Sequence, residues 1–569
     1  MFAPFSSGEN PSAKYKYLAT KRREHGIRRI SPRPWRQEKC SKLKAMNLGT
    51  RCTPEPTATT WRASTWHLLI GTLSLLTLCI QGYHPLAEDG GLYVAGIEWK
   101  LDPTLFPHYG EFVRAHLRFS LFAPAIAELV RLTHLSLMGV LLLVELLSLW
   151  LTFYAAWQLL RRLIPGDAAQ LAGMALLGAW WTLPVAGTSL MLMDPYVTAR
   201  SLTLPLSLLA MALALDDWHE TSQSLYVCCG CLWIAYLCHP LMATYGLALV
   251  IVLRLLQSRH PYTAIVLVSV ATLLLAAVVQ HLAAPETPAI RLAEISRDYW
   301  YLERWHWYEL LGLLGPLVVI ALTIRMVRSR FSPAAVLLLR ACLILSLLAI
   351  TICLLFAREA LPTHLLARLQ PLRVFVLVYA MLPLILGAGL MQAALDLQAR
   401  SQILRRVVQT LPGLFVVSMA LTMYTVQRDS FRASQHLELP WRIGRNPNPW
   451  VQAFLWTKNN TPRDALFALD AKYVNIDGED AQTFRATSLR SALPDYSKDG
   501  GEASITPALA ATWQAASAAQ KDLSSMDDAT RDATIAAFGT TWMILHAEAS
   551  TRHPCPYSNS VVKVCRLTP

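Results

Sequence analysis

Two adjacent carboxylates, Glu88 and Asp89, follow the first long apolar segment of the chain and precede a pair of glycines. A carboxylate held near a reacting hydroxyl, with limited access of water, can act as a general base. The membrane helices around such a site would fix its side chains in place. The alternative is a pair of solvated loop acids that caps a helix beginning near Gly91. The residues alone leave both interpretations open.

A second polar cluster lies in the stretch LMDPYVTARS at 192–201, which contains Asp194, Tyr196 and Arg200. The Asp194-Pro195 step interrupts a helix, because the residue before a proline avoids helical backbone angles. An arginine at this place can bind a phosphate group through two parallel hydrogen bonds. The alternative is an ion pair between Asp194 and Arg200 that closes the loop.

Further polar residues occur in segments that we predict to lie on the outer side of a membrane. They are His239, Arg297, Asp298, Arg358, Glu359, His364 and Arg373. Cationic groups on that side would suit a site for the phosphate of an anionic lipid. The alternative is ordinary contact with lipid headgroups, for which the same residue types are expected. The candidate substrate-binding residues are Tyr196, Arg200, His239 and Arg297.

Membrane helices must hold these side chains in place. The chain has 569 residues, of which 54% are hydrophobic and 16% are charged, whereas soluble domains carry about 25% charged residues. Apolar segments of about 17–25 residues, long enough to cross a bilayer, recur along the chain. The sequence therefore predicts an α-helical polytopic membrane protein with about eleven crossings, at 66–83, 135–160, 168–187, 202–216, 225–238, 241–257, 262–281, 309–327, 333–356, 373–395 and 407–426.

Charge placement predicts the orientation of these helices. Residues 1–60 form a basic tail, with thirteen Lys or Arg and four Glu up to residue 55. We expect this tail to be disordered and to stay in the cytoplasm. Nucleic-acid binding is the alternative use of such a tail, and Met46 is an alternative start of the chain.

The later basic loops fall on the same side as the tail only if the apolar run at 225–257 breaks at His239-Pro240. Proline removes a backbone donor and disfavours helix at the residue before it. Irregular backbone at membrane depth survives against protein or a watery cavity, so we expect His239 to face a cavity. The resulting topology, in a bacterial inner membrane, places outside the first loop at 84–134, the loop at 282–308 and everything after 427.

The segment 428–569 is predicted to be a separate, small α/β domain after the membrane domain at 61–427. Asn448 and Pro449 are typical of a helix start, and short strands are predicted at 465–469, 541–545 and 561–565. Cys555 and Cys565 flank PYSNSVVKV, and in an oxidising compartment we expect them to form a disulfide. Cysteines within the apolar segments are interpreted as small apolar side chains, so no metal site is predicted there.

These features together resemble the GT-C superfamily of integral-membrane glycosyltransferases, which use sugars linked to a lipid phosphate. The resemblance rests on the acidic stretch AEDGGLYVAGI at 87–97, a segment at 112–132 that suits an interfacial helix, and the break at His239-Pro240. It implies that Asp89 is the catalytic base, with Glu88 as the fallback, and that Asp194 belongs to a second acidic motif. It further implies that outer arginines hold the phosphate of a polyprenyl-phosphate sugar, with a divalent metal as a candidate cofactor.

The chain departs from two GT-C subgroups. It has no WWDYG-like acceptor motif of the oligosaccharyltransferases and no repeated β-trefoil module of the protein O-mannosyltransferases. Its C-terminal segment is similar to that of bacterial membrane proteins carrying a domain of unknown function, through W…NTP…ALF, then R…S…R, and a terminal CPY…VCRL. That likeness implies a family and no activity.

Two functions follow as alternatives. The first is transfer of a sugar from a polyprenyl-phosphate donor to an acceptor at the outer face of the membrane. The second is a non-catalytic scaffold or lipid-binding protein whose C-terminal domain binds a protein partner; neither involves nucleic acid. Convergence of Glu88, Asp89 and Asp194 on one cavity with an arginine would favour the enzyme, whereas scattered, lipid-facing or salt-bridged acids would favour the scaffold.

Overall fold

The computed structural model of the chain describes residues 61–218, 221–327, 331–397, 401–476 and 478–567. The predicted basic tail at 1–60 lies outside these residues. The described part forms one compact unit. It consists of a bundle of apolar helices and a C-terminal region, residues 431–567, which packs against one end of the bundle.

The bundle begins with α1 (Ala63–Gln81). The loop after α1 holds three shorter helices: α2 (Glu88–Leu101), α3 (Gly110–Arg114) and α4 (Phe122–Thr133). The helices that follow are α5 (Leu137–Leu163), α6 (Asp167–Ala179), α7 (Ala199–Ala214), α8 (Ser222–Cys238), α9 (Pro240–Leu256), α10 (Pro261–Leu282), α11 (Pro288–Ile295), α12 (Trp307–Val327), α13 (Pro333–Phe356), α14 (Leu365–Arg368), α15 (Phe375–Asp396) and α16 (Gln402–Ser430).

A helix lies at each of the eleven predicted crossings, but their lengths differ. Within the described residues, seven helical segments are long and apolar enough to cross a membrane: α1, α5, α10, α12, α13, α16 and the segment Leu365–Asp396. The helices α6 to α9 have 13 to 17 residues, fewer than the roughly 20 of a straight crossing. The chain is an integral membrane protein, and the number of its crossings stays a prediction.

The third predicted crossing is longer than the helix found there. The helix α6 ends at Ala179, and an ordered loop follows, because Pro184 has no backbone N–H for a helix. Pro184 and Met191 pair as an isolated bridge. The N–H of Leu192 donates to the carbonyl of Leu183, with 2.8 Å between nitrogen and oxygen. This loop carries Asp194.

The predicted break at His239-Pro240 is present. The helix α8 ends at Cys238 and α9 begins at Pro240, whose fixed φ suits the first helical position. His239 caps α9, with its Nδ1 accepting a hydrogen bond from the N–H of Met242 at 3.4 Å. The first loop covers the open end of α8, where the N–H of Leu121 donates to the carbonyl of Leu237 at 2.9 Å.

The C-terminal region contains a five-stranded mixed sheet, as the sequence predicted in outline. Its elements are α17 (Pro449–Asn460), β1 (Leu466–Ala468), α18 (Phe484–Ser488), β2 (Ser491–Ala492), α19 (Lys498–Ile505), α20 (Ala510–Ala519), α21 (Asp528–Ala536), β3 (Trp542–His546), β4 (Tyr557–Ser558) and β5 (Val562–Arg566). The strand order is β2-β1-β3-β5-β4. The strand β1 is parallel to β2 and β3, whereas β5 is antiparallel to β3 and β4. Apolar clusters cover both faces of the sheet.

Two local predictions for this region are confirmed. The side-chain oxygen of Asn448 accepts a hydrogen bond from the N–H of Trp450 at 2.9 Å and so caps α17. A disulfide joins Cys555 to Cys565 and closes the segment that leads into β5.

The C-terminal region docks on α2 at a place where only glycine fits. Thr483, just before α18, lies against Gly91 of α2. A Cβ atom at position 91 would overlap the Thr483 side chain and would lie 2.6 Å from the carbonyl oxygen of Leu86. Close backbone approach at Gly91 therefore sets the distance between α2 and the C-terminal region.

We expect Gly91→Ala to destabilise this contact by about 1–3 kcal/mol, the usual effect of overpacking. The variant should show a lower melting temperature in detergent and faster proteolysis of the C-terminal region. Gly71→Ala is the matched control, since a Cβ at position 71 meets no atom within 4 Å. Wild-type protease resistance in Gly91→Ala would contradict the proposed packing constraint.

Candidate functional site

Backbone hydrogen bonds fix the segment that precedes Glu88 and Asp89. They tie it to the loop of Asp194 and to the start of the C-terminal region, with N···O distances of 2.8–2.9 Å: Tyr83 N to His436 O, Glu438 N to Tyr83 O, and His84 N to Pro195 O. The acidic pair then begins α2, where the positive end of the helix dipole favours carboxylates. Three distant parts of the chain thus position the acids.

Arg200 bridges the two acidic segments that the sequence singled out. It lies in the first turn of α7, and its Nη2 donates to Oδ2 of Asp194 at 2.7 Å. Both Nη1 and Nη2 also donate to Oδ2 of Asp89 at 3.1 Å. The ion pair between Asp194 and Arg200 that the sequence left as an alternative is therefore formed, and Asp89 joins it.

Lys498 of the C-terminal region supplies a second cation. Its Nζ donates to Oδ1 of Asp89 at 3.1 Å and forms an ion pair with Glu88. Lys498 begins α19 and is 409 residues from Asp89 in the sequence. No local sequence pattern marks it, so the sequence analysis missed this residue.

Glu88 has an unusual backbone conformation at this site. Its φ of 47° lies in the left-handed region, which is unfavourable by about 1–2 kcal/mol for a residue with a side chain. The hydroxyl of Thr483 donates to the carbonyl of Glu88 at 3.2 Å, and Lys498 holds its carboxylate. Two contacts with the C-terminal region therefore hold Glu88 where its backbone is strained.

The two cations determine the protonation of Asp89. Burial alone would raise the pKa of Asp89, but the positive charges of Lys498 and Arg200 outweigh burial and hold this pKa well below its usual range. Asp194 is more enclosed, and burial raises its pKa even though Arg200 acts in the opposite direction. Asp89 is thus ionised at neutral pH, with 32% of its side-chain surface still exposed.

All seven predicted catalytic and substrate-binding residues line one cavity of about 1120 Å³: Glu88, Asp89, Asp194, Tyr196, Arg200, His239 and Arg297. Its other lining residues come both from the bundle and from the C-terminal region. The structure brings the predicted residues together, while their roles in catalysis and binding stay predictions.

Arg297 already uses its donors within the protein. Its Nη1 donates to the carbonyl of Ser497 at 2.8 Å and its Nη2 to the carbonyl of Tyr496 at 3.0 Å. Arg297 therefore ties the segment after α11 to the C-terminal region. Arg200 is likewise held, by two carboxylates. Both arginines that the sequence predicted as phosphate ligands therefore already donate hydrogen bonds within the protein.

Arg373 is the cavity cation that best fits an anion. It lines the cavity, and its Cζ lies 5.4 Å from the centre of the Tyr299 ring. Its Nε is buried without a hydrogen-bond partner, and in the described part of the chain no carboxylate forms an ion pair with it. The sequence signal was its place at the start of a long apolar segment, on the side that the sequence analysis predicted to be the outer one.

Apolar side chains complete the lining. Phe119, Leu369 and Ile505 line the cavity and are 52%, 49% and 39% exposed. Large exposed apolar groups at the rim of a polar cavity are typical of surfaces that contact an apolar ligand or lipid.

The acidic cluster does not fit a divalent metal as it stands. Both carboxylate oxygens of Asp89 and Oδ2 of Asp194 accept hydrogen bonds from Arg200 or Lys498. Within the described residues, the group with metal-ligand spacing is instead Glu286, Glu294 and His364. That group is closed by its own ion pairs, from His364 to Glu286 and from Arg368 to Glu294.

The criteria stated for the two functions are both met in part. Glu88, Asp89 and Asp194 converge on one cavity together with an arginine, as expected for an enzyme. The same acids are salt-bridged, which was the criterion for a scaffold. Two features distinguish this cavity from a purely structural ionic cluster: the partial exposure of Asp89, and Arg373, for which the described residues supply no carboxylate partner.

Comparison with known proteins gives structural likenesses alone. The archaeal oligosaccharyltransferase AglB from Archaeoglobus fulgidus, in complex with an inhibitory peptide and a dolichol-phosphate, has a TM-score of 0.48 and 11% sequence identity, covering 86% of this chain and 70% of that chain. The apo form gives a TM-score of 0.46, and the form tethered to an acceptor peptide by a disulfide gives 0.47, with the same identity and coverage.

No family model and no curated protein matches the chain. The likeness of the C-terminal segment to bacterial proteins with a domain of unknown function therefore stays an expectation. At TM-scores below 0.5, the structural likenesses do not assign an activity, which must be argued from the cavity.

We expect Arg200→Met to destabilise the protein by about 3–5 kcal/mol, because it leaves the buried Asp194 without its counter-charge. The measurement is the melting temperature in detergent. Arg432→Ala is the control, since Arg432 and Asp429 form an exposed ion pair of a kind that contributes little. Equal melting temperatures for the two variants would show that the Arg200 bridge does not stabilise the fold.

Proposed function

We propose that the chain transfers a sugar from a polyprenyl-phosphate donor to an acceptor at the membrane face that carries the C-terminal region. The observation that carries this proposal is a single cavity lined by an ionised carboxylate, by a guanidinium that has no carboxylate partner among the described residues, and by exposed apolar side chains. A lipid-linked sugar has a hydrocarbon chain, a phosphate and a reactive anomeric carbon, and each has a counterpart in this cavity.

The apolar part of the donor would lie along Phe119, Leu369 and Ile505. Arg373 would hold the phosphate, because it lines the cavity, has no carboxylate partner in the described part of the chain and can donate two parallel hydrogen bonds to phosphate oxygens. Leu369 and Arg373 are close in sequence, so the apolar and anionic parts of one ligand can reach both.

The reaction is a single displacement. The acceptor oxygen forms a bond to the anomeric carbon while the bond from that carbon to the phosphate oxygen breaks. The lipid phosphate leaves with the electron pair, and Arg373 stabilises its charge. The acceptor proton passes to a carboxylate of the cavity, and the configuration at the anomeric carbon inverts because no carboxylate bonds to the sugar.

Two carboxyl groups are candidates for the proton acceptor. Asp89 is the base that the family resemblance implies, but Lys498 and Arg200 make it a weak proton acceptor. Glu502 lines the same cavity and lies 3.6 Å from Nδ1 of His116. Burial, helped by the charges of Asp499 and Asp89, raises the pKa of Glu502 to about 8. A base is most efficient when its pKa is near the operating pH, which favours Glu502 as proton acceptor and gives Asp89 the role of orienting the acceptor.

Lipid retention and sugar transfer test the proposal together. We expect the wild-type protein to co-purify with a polyprenyl phosphate, detected by native mass spectrometry, and Arg373→Ala to lose that lipid. Asp89→Asn should keep the lipid but lose about 100-fold or more of the transfer activity, the scale of a positioned catalytic carboxylate. Arg358→Ala, at an exposed arginine, is the control for lipid retention.

Retained transfer in Asp89→Asn would eliminate the assignment of Asp89 to the reaction. Lipid retention without transfer to any acceptor, in a protein that tolerates Asp89→Asn, would favour the scaffold or lipid-binding alternative. The salt bridges of the acidic residues are the observation that supports that alternative.

The pH profile of kcat/KM distinguishes the two proton acceptors. If Glu502 accepts the proton, activity rises about tenfold per pH unit up to a limb near pH 8 and then levels, because the group is inactive when protonated. Glu502→Gln should remove this limb and most of the activity. A profile that is flat from about pH 5 upward would instead assign proton transfer to Asp89, whose pKa lies below that range.

A further inference from the structure

Three carboxylates in one cavity need positive charge to stay together. Glu88, Asp89 and Asp194 would repel one another strongly in an enclosed site, since like charges close together raise the free energy of the ionised state. Divalent cations are a common solution to this problem in proteins. Here the chain itself places two cations, Arg200 and Lys498, beside the acids. Their positive charge offsets the repulsion that a metal ion would otherwise offset.

Arg200 occupies the space between Asp89 and Asp194. Its Nη2 lies 2.7 Å from Oδ2 of Asp194 and 3.1 Å from Oδ2 of Asp89. A metal that bridged the two carboxylates through these oxygens would have to displace the guanidinium of Arg200. The guanidinium is permanently charged, so it cannot vacate the position by losing a proton.

Lys498 holds the remaining oxygen of Asp89. Its Nζ lies 3.1 Å from Oδ1 of Asp89 and also pairs with Glu88, and its side chain is 14% exposed. Asp89 therefore has no carboxylate oxygen without a nitrogen cation.

A buried network fixes the segment that carries Lys498. The N–H of Lys498 donates to Oδ1 of Asp495 at 2.6 Å, and the N–H of Asp495 donates to Oδ2 of Asp499 at 2.8 Å. Arg485 in turn donates to both oxygens of Asp499 at 2.7 and 2.8 Å. The backbone that carries the ammonium group is held by this chain of contacts within the C-terminal region.

We propose that Arg200 and Lys498 are built-in counter-cations that take the place of a divalent metal ion between the acids, so that the site works without a metal. Lys498 makes the C-terminal region a part of the site as a positioning element for Asp89. The statement about activity rests on the proposed glycosyl transfer, whereas the statement about metal binding does not.

The direct test is metal binding by the full-length protein in detergent. Wild-type protein is treated with EDTA, incubated with Mn²⁺ and analysed for bound metal by mass spectrometry, and its melting temperature is measured with and without Mn²⁺. We expect substoichiometric Mn²⁺ and no shift of the melting temperature. If the protein binds one equivalent of Mn²⁺ and Glu286→Gln still binds it, the proposal is overturned. If Glu286→Gln abolishes the binding, the ion was bound at the separate Glu286 cluster, and the proposal is supported.

Two variants test whether the cations occupy the metal position. Arg200→Ala frees oxygens of Asp89 and Asp194, and Lys498→Ala frees oxygens of Glu88 and Asp89. We expect at least one of them to bind Mn²⁺ and to gain thermal stability from it. Because Arg200→Ala removes a buried charge, Lys498→Ala provides the second measurement if the first variant fails to fold. Folded variants that bind no more Mn²⁺ than the wild type would contradict the proposal.

The activity measurement separates this proposal from the proposed function. Transfer that EDTA does not reduce supports built-in cations, and transfer that EDTA abolishes and Mn²⁺ restores overturns them. If no transfer is detected under any condition, the result counts against glycosyl transfer. The Mn²⁺ binding of the wild type and the two variants then decides by itself whether Arg200 and Lys498 replace a metal ion.

Discussion

The bridge that Arg200 makes between Asp89 and Asp194 is the interaction on which the rest of the site depends. It joins the loop after α1 to the loop before α7, two segments that would otherwise repel each other through their carboxylates. One guanidinium serves both acids, so the two loops share a single counter-charge. The backbone bond between His84 and Pro195 reinforces the same junction.

The C-terminal region completes this arrangement instead of lying beside it. Lys498 reaches the acidic pair, Arg297 donates to carbonyls of this region, and Thr483 packs against Gly91. Removing one partner of an enclosed ion pair leaves an uncompensated charge and is strongly unfavourable, so the ion pairs of Lys498 oppose any arrangement in which it leaves the acidic pair. The contacts therefore define one relative position of the bundle and the C-terminal region, with the cavity at their junction.

The sequence predicted what depends on neighbouring residues. Hydropathy located the apolar helices, Pro240 located the break, and Asn448 located the cap of α17, because each is set by local periodicity or backbone chemistry. The end of α6 was placed too late, since an apolar loop has the same composition as a helix. Lys498 could not be predicted, because it meets Asp89 across 409 residues of sequence. The availability of Arg373 could not be predicted either, because it depends on how separate segments pack around it. Arg200 was recognised, but its sharing between two acids appears only in three dimensions.

The pairing of Tyr83 with residues 436–438 has a consequence for biogenesis. The partners of this short segment are synthesised only after α16, the last helix of the bundle. During translation the segment with Glu88 and Asp89 therefore lacks these hydrogen-bond partners until every intervening helix has been synthesised. The cavity is thus completed late in the assembly of the protein. A chain that ends before the C-terminal region lacks Lys498, the ammonium partner of the two acids.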